Sequence, residues 1–85
     1  MAKAAPKKSI YSAEYDRFLV LLRKARGDAG LTQTQAAMKL RRPQSFVSKC
    51  ESGERRVDVV ELMDFCRAYR VDAGSFIRGI AHRIV

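Results

Sequence analysis

The 85-residue sequence predicts an all-α fold, and three features of the chain favour it. Apolar residues recur at intervals of three and four along most of its length, as they do on one face of a helix. Residues that cap helices precede these periodic stretches, and glycine or proline follows several of them. The length suits a single small domain with one modest core.

The first helix is predicted to begin after Ser12, whose hydroxyl can accept a hydrogen bond from an otherwise unpaired backbone amide. Glu14 and Asp16 then place negative charge at the positive end of the helix dipole. The apolar face of this helix consists of Phe18, Leu21, Leu22 and Ala25. Gly30 ends it.

A capping box marks the start of the second helix, because Thr32 is followed three residues later by Gln35. The apolar face of this short helix consists of Ala36, Ala37 and Leu40. Pro43 ends any helix that reaches Arg42, since the residue before proline is pushed out of the α-helical region. The chain is therefore predicted to bend here, and the proline suits the opening of the next helix.

The third helix is predicted to run from Gln44 to Gly53, which offers a left-handed C-terminal cap. Val47 and Cys50 face inward at a spacing of three residues, and the outward face is polar, consisting of Gln44, Ser45, Ser48 and Lys49. Side chains of this kind hydrogen-bond to the edges of DNA bases. Two short helices joined by a tight turn, with such a face on the second, indicate a helix-turn-helix that reads DNA.

Two more helices follow, with Asp58 and Glu61 able to cap the fourth and Asp72 the fifth. Residues at helical spacing predict that the fourth helix contributes to the core through Val59, Leu62, Phe65, Cys66 and Tyr69. The apolar side of the fifth consists of Phe76, Ile77, Ile80 and Ile84.

The C-terminal end of the last helix, residues 80–85, carries more apolar surface than the core requires. Ile80, Ile84 and Val85 are candidates for a homodimer interface, because an exposed apolar strip usually marks a partner surface. The alternative is that the strip folds back onto Phe18 and Leu22 within the monomer.

The formal net charge of +8 points to a polyanionic partner. Residues 1–11 are expected to form a flexible basic tail, either solvated or touching the backbone or minor groove of DNA. No apolar run approaches the roughly 20 residues that a membrane span requires, and the N-terminus lacks the apolar stretch of a secretion signal. A cytoplasmic location is therefore expected.

Catalytic and metal-binding patterns are absent from the sequence, so we expect neither an enzyme nor a cofactor or metal site. His82 is the only histidine, and no acid, base or nucleophile pattern surrounds it. Cys50 and Cys66 lie on apolar helical faces and are expected to be buried thiols, not a disulfide.

Residues Phe18 to Ile77 resemble the Cro and phage-repressor type (XRE-type) helix-turn-helix family. The residues that match the family pattern are Arg26, Gly30, Leu31, Thr32, Gln33, Ala37, Leu40, Val47, Ser48, Glu51 and Gly53. The resemblance implies a compact five-helix lambda-repressor-like DNA-binding domain over residues 12–79, with its third helix in the major groove.

The resemblance also implies roles for individual side chains. Base contacts are expected from Gln44, Ser45 and Lys49. Phosphate contacts are expected from Gln33, Arg41, Arg42, Ser48, Arg55 and Arg56. Arg26 and Glu51 are expected to form an ion pair that locks the first helix to the third. Arg41 departs from the family's usual glycine at a position that often takes positive φ, where a residue other than glycine costs about 1 kcal/mol. Either the turn differs here, helped by Pro43, or the strain is accepted because Arg41 contacts a phosphate.

The function expected from these observations is sequence-specific binding of double-stranded DNA by a bacterial or phage transcriptional regulator. A repressor that binds a palindromic operator as a homodimer is the simplest form of it. Two alternatives stay open at this point. One is the DNA-binding antitoxin of a toxin-antitoxin pair or a restriction-modification controller, and the other is a protein-interaction adaptor with the same fold.

Overall fold

The computed structural model describes residues 12–84, and it describes side chains as far as residue 81. The helices in this range are α1 (Ala13–Asp28), α2 (Gln33–Leu40), α3 (Gln44–Ser52), α4 (Val59–Tyr69) and α5 (Ala73–Ile84), and this part of the chain contains no strand. The prediction of an all-α domain with five helices is confirmed. The proposed basic tail, Val85 and the side chains of His82 and Ile84 lie outside what the structure describes.

The helices begin where the capping residues predict. Ser12 Oγ accepts a hydrogen bond from the Tyr15 amide at 3.0 Å. In α2, Thr32 Oγ1 accepts from the Gln35 amide at 3.1 Å, and Gln35 Oε1 accepts from the Thr32 amide at 2.9 Å. Asp58 and Glu61 form the same capping box at the start of α4. Each box satisfies two amides that would otherwise lack a partner within the helix.

The turn between α2 and α3 is closed by a residue in the left-handed conformation. Arg41 has φ 58° and ψ 43°, and the amide of Arg42 donates to the Ala37 carbonyl at 3.0 Å. Pro43 then occupies the N-cap position of α3 in an extended conformation. The expected bend is therefore present, and of the two alternatives for Arg41 the structure has the one with positive φ.

The core is built from one face of every helix. Its most buried members are Leu22, Ala36, Val47, Cys50 and Phe65. Helix α2 packs against α3, α1 against α5, and α4 against both α2 and α5. The ring of Phe46 on α3 stacks on Phe65 of α4, with the ring centroids 5.9 Å apart. This aromatic contact joins α3 to α4 from the inside of the domain.

Two residues on the predicted apolar helix faces lie at the surface instead. Val59 is 66% exposed because it opens α4, one residue after the N-cap, where no neighbouring helix covers it. Ile77 is 47% exposed because it follows the buried Phe76 by one residue, about 100° further around α5. Conversely, Leu19 and Phe46 are buried although the helical pattern did not single them out.

Candidate nucleic-acid interface

Helix α3 presents one polar face to solvent and buries the other. Val47 and Cys50 are fully buried, whereas Gln44, Ser45 and Lys49 are exposed and Ser48 is partly exposed. The three expected base-contacting residues therefore share the outward side of one helix. Their backbone is held by the core on the opposite side, which gives them a rigid support.

Arg26 of α1 and Glu51 of α3 are joined by two hydrogen bonds. Arg26 Nε lies 2.6 Å from Glu51 Oε2, and Nη2 donates to Oε1 at 3.1 Å. The hydrogen bond to Glu51 raises the pKa of Arg26, and burial partly opposes this effect. Arg23 adds a hydrogen bond to the Glu51 carbonyl at 2.9 Å. Because Glu51 is only 2% exposed, these contacts bind α1 to the end of α3 away from solvent.

Two glutamines extend this network to the surface. Gln33 Nε2 donates to Glu51 Oε1 at 2.9 Å, and Gln44 Nε2 donates to Gln33 Oε1 at 2.7 Å. Gln33, the first residue of α2, thereby orients Gln44, the first residue of α3. Gln44 keeps its Oε1 atom and the second hydrogen of its amide for an outside partner.

Four of the residues expected to contact phosphate are at least partly accessible to solvent, and Arg41 among them lines a cleft with Arg67 and Arg70 at the C-terminal end of α4. Gln33 and Ser48 are partly exposed, and Arg41 and Arg56 are exposed. The Arg56 guanidinium lies 4.2 Å from the centroid of the Tyr15 ring, a cation-π contact that holds it beside α1.

Arg42 and Arg55 are placed differently, because both are drawn to one carboxylate on α4. Arg55 Nη1 and Nη2 donate to the two oxygens of Glu61, each at 2.8 Å. Arg42 Nη2 lies 3.6 Å from Glu61 Oε2. Sequence reasoning identified Glu61 only as a capping residue, and no local spacing connects it to Arg42, 19 positions earlier.

Ile80 is partly buried and packs against the core. It lines an apolar groove together with Phe18, Val57 and Leu62. The contact with the Phe18 side of the core agrees with the alternative in which the C-terminal strip folds back within the monomer, at least as far as Ile80.

None of the helices within residues 12–84 is long and apolar enough to cross a membrane. Among these residues, no three His, Cys, Asp or Glu side chains lie together in a way that could hold a metal ion. Cys50 and Cys66 are free thiols, and burial raises the pKa of both.

Comparison with known proteins agrees with this geometry. A family model described as a helix-turn-helix domain matches residues 17–75. A solved structure described as an XRE-family like protein from Pseudomonas syringae pv. tomato str. DC3000 superposes with a TM-score of 0.83. It is 46% identical to this chain, and the match covers 92% of this chain and 95% of that one. A search of curated proteins finds no match.

Proposed function

The chain belongs to the XRE-type helix-turn-helix family, a family of DNA-binding regulators, and from this premise we propose that it is a sequence-specific transcriptional repressor. It binds double-stranded DNA with α3 in the major groove and acts by occupying an operator. Such a protein works beside the chromosome, in the cytoplasm of a bacterium.

The observation that carries the proposal is the rigid presentation of the polar face of α3. Arg26 and Glu51 fix the helix to α1, and Gln33 orients Gln44 at its first residue. A recognition helix must hold its side chains in fixed positions, because a base contact depends on the positions of two or more atoms at once.

Three residues on this face are proposed to contact bases. Gln44 can form a bidentate pair with adenine through Oε1 and the remaining amide hydrogen, and Lys49 can donate to O6 and N7 of guanine. Ser45 lies between them and can donate or accept. Each well-formed pair contributes about 1–3 kcal/mol of discrimination against a wrong base.

Affinity is proposed to come from contacts with the phosphate backbone. Arg41 and Arg56 supply charge, while Gln33 and Ser48 supply neutral donors. Each neutralised phosphate releases about 0.9 counterion, so binding falls steeply as salt rises. Arg42 and Arg55 are left out of these proposed phosphate contacts. Glu61 accepts two hydrogen bonds from Arg55 and forms an ion pair with Arg42.

A two-fold homodimer is proposed as the binding form. Ile84 and Val85 are its candidate contacts, with Ile80 at the edge, because an apolar strip at the end of a helix usually marks a partner surface. Two copies related in this way would place their α3 helices about one helical turn of DNA apart, roughly 34 Å.

Selection from a pool of random duplexes tests the proposal directly. Purified protein is incubated with the pool at near-physiological salt, and bound duplexes are amplified and sequenced through several rounds. Enrichment of a palindrome with half-sites about one turn apart is the expected result. Enrichment of a single half-site would retain the reading function and contradict the dimer. Binding that enriches no sequence would contradict sequence-specific repression.

A further inference from the structure

The feature that the proposed function leaves unexplained is a cluster of four side chains between α3 and α4. Glu61 of α4, which is 9% exposed, lies beneath Arg42 and Arg55. The guanidinium carbons of these arginines lie 4.1 and 5.0 Å from the centroid of the Phe46 ring. We call Glu61, Arg42, Arg55 and Phe46 the α4 latch.

The latch holds both ends of α3. Arg42 precedes Pro43, the N-cap of the helix, and Arg55 follows its C-cap at Gly53 by two residues. One carboxylate on α4 therefore anchors the chain on each side of the reading helix, and Phe46 fills the space between the anchors. This second attachment is separate from the one that Arg26 and Glu51 make from α1.

The guanidinium of Arg55 donates three hydrogen bonds. Its Nη1 donates to Glu61 Oε1 and to the Arg56 carbonyl, and its Nη2 donates to Glu61 Oε2. Glu61 Oε1 also accepts from the Asp58 amide at 3.1 Å. A phosphate that displaced Glu61 from Arg55 would break a bidentate pair and leave a largely buried carboxylate without its main partner, which is costly.

We propose that Glu61 is a positioning residue for DNA recognition, which fixes both ends of α3 and withholds Arg42 and Arg55 from the phosphate backbone. This inference rests on the proposed function. The consequence of this positioning is a higher sequence specificity of DNA binding. Two cations beside the reading face would otherwise strengthen binding to every sequence alike, because phosphate contacts carry no sequence information.

The test compares five proteins by fluorescence anisotropy across a series of KCl concentrations. They are the wild type, Glu61→Gln, Glu54→Gln, Arg55→Met and Arg41→Met. The probes are the duplex enriched from the random pool and a duplex of unrelated sequence. Glu54 provides the matched control because it is an exposed acid of the neighbouring loop, so its substitution changes the net charge by the same amount.

Glu61→Gln is expected to steepen the slope of log K against log salt on the unrelated duplex by about 0.9 to 1.8, as one or two arginines reach phosphates. The ratio of affinities for the enriched and unrelated duplexes should fall. Glu54→Gln should leave the slope unchanged. A slope for Glu61→Gln equal to that of Glu54→Gln would overturn the proposal.

Arg55→Met keeps the test decisive if Glu61→Gln does not fold. A withheld arginine makes no phosphate contact, so its removal should leave the salt slope of the wild type unchanged, whereas a slope shallower by about 0.9 would overturn the proposal. Arg41→Met is the positive control, expected to give the shallower slope. If the wild type binds neither duplex, the proposed function itself fails; if it binds and the slopes do not separate, only the role of Glu61 fails.

Discussion

Arg26 and Glu51, which lie 25 positions apart in the sequence, form the most buried ion pair of the described residues, with Nε 2.6 Å from Oε2. Arg26→Met should lower the free energy of unfolding by about 3–5 kcal/mol, because it leaves the Glu51 carboxylate buried without its cation. Urea denaturation followed by circular dichroism measures the loss. It is large for a domain of this size.

The double variant Arg26→Met/Glu51→Met separates the ion pair from the packing. If the stranded charge causes the loss, the double variant should be more stable than Arg26→Met alone, since both charges are gone. A double variant that loses the sum of the two single losses would show that the residues act independently, contrary to this account.

Local signals in the sequence predicted most of the fold. The capping box of Thr32 and Gln35, the bend before Pro43 and the cap at Gly53 each follow from residues within four positions of one another, and each is present. Such features depend on backbone hydrogen bonds that close within one turn, so the local sequence is sufficient to specify them.

The environment of Glu61 and the surface of α4 could not be predicted in this way. Glu61 carried a local signal for a cap, and the cap is present, but its contacts with Arg42 and Arg55 depend on how α4 lies against α3. Likewise, helical periodicity places Val59 on the core side of α4 without showing that the core ends before the first turn. Contacts of this kind are set by tertiary packing, which spacing does not encode.

The left-handed conformation of Arg41 provides a test of its role in DNA binding. Arg41→Gly should stabilise the protein by up to about 1 kcal/mol, because glycine adopts φ 58° without the strain of a side chain. It should also weaken binding to all duplexes, since a phosphate contact is lost. Thermal unfolding and anisotropy titration measure the two effects.

Arg70 provides the matched control, because it has the same φ of 58° at the C-terminal cap of α4, outside the helix-turn-helix. Arg70→Gly should give a similar gain in stability with little change in affinity. If the two variants weaken DNA binding equally, Arg41 has no special contact with the backbone, and general loss of charge explains both results.

Acidification should remove the contribution of Glu61 to stability. The hydrogen bonds from Arg55 hold the pKa of this carboxyl below its usual 4.5, with further help from the Asp58 amide and the Arg42 charge and against the effect of burial. The stabilisation is therefore complete above about pH 5 and is lost as pH falls through the lowered pKa of the folded state.

Thermal unfolding of the wild type and Glu61→Gln at a series of pH values measures this effect. Glutamine at this position does not titrate, so the difference in Tm between the two proteins should be largest near neutrality and should narrow below about pH 4. A difference that stays constant from about pH 7 to 3 would mean that the ionised carboxylate contributes nothing to stability.

Gln44→Ala should change which sequences are preferred, not merely how tightly they bind. Removing its bidentate contact should relax the preference at one base position in each half-site, by about 1–3 kcal/mol. The random-pool selection repeated with the variant measures the preference at every position. An unchanged sequence logo with weaker binding throughout would assign Gln44 to the backbone instead of a base.

The homodimer can be tested with two isoleucines of the same helix. Ile84→Glu should yield a monomer in sedimentation velocity and weaken binding to a palindrome far more than binding to a half-site, because the dimer contact places the two reading helices together. Ile77 is 47% exposed on α5 and serves as the matched control, so Ile77→Glu should leave the dimer intact. Equal sedimentation of both variants and the wild type would contradict an interface at Ile84. Ile80 itself packs against the core of the monomer and lines the groove beside Phe18.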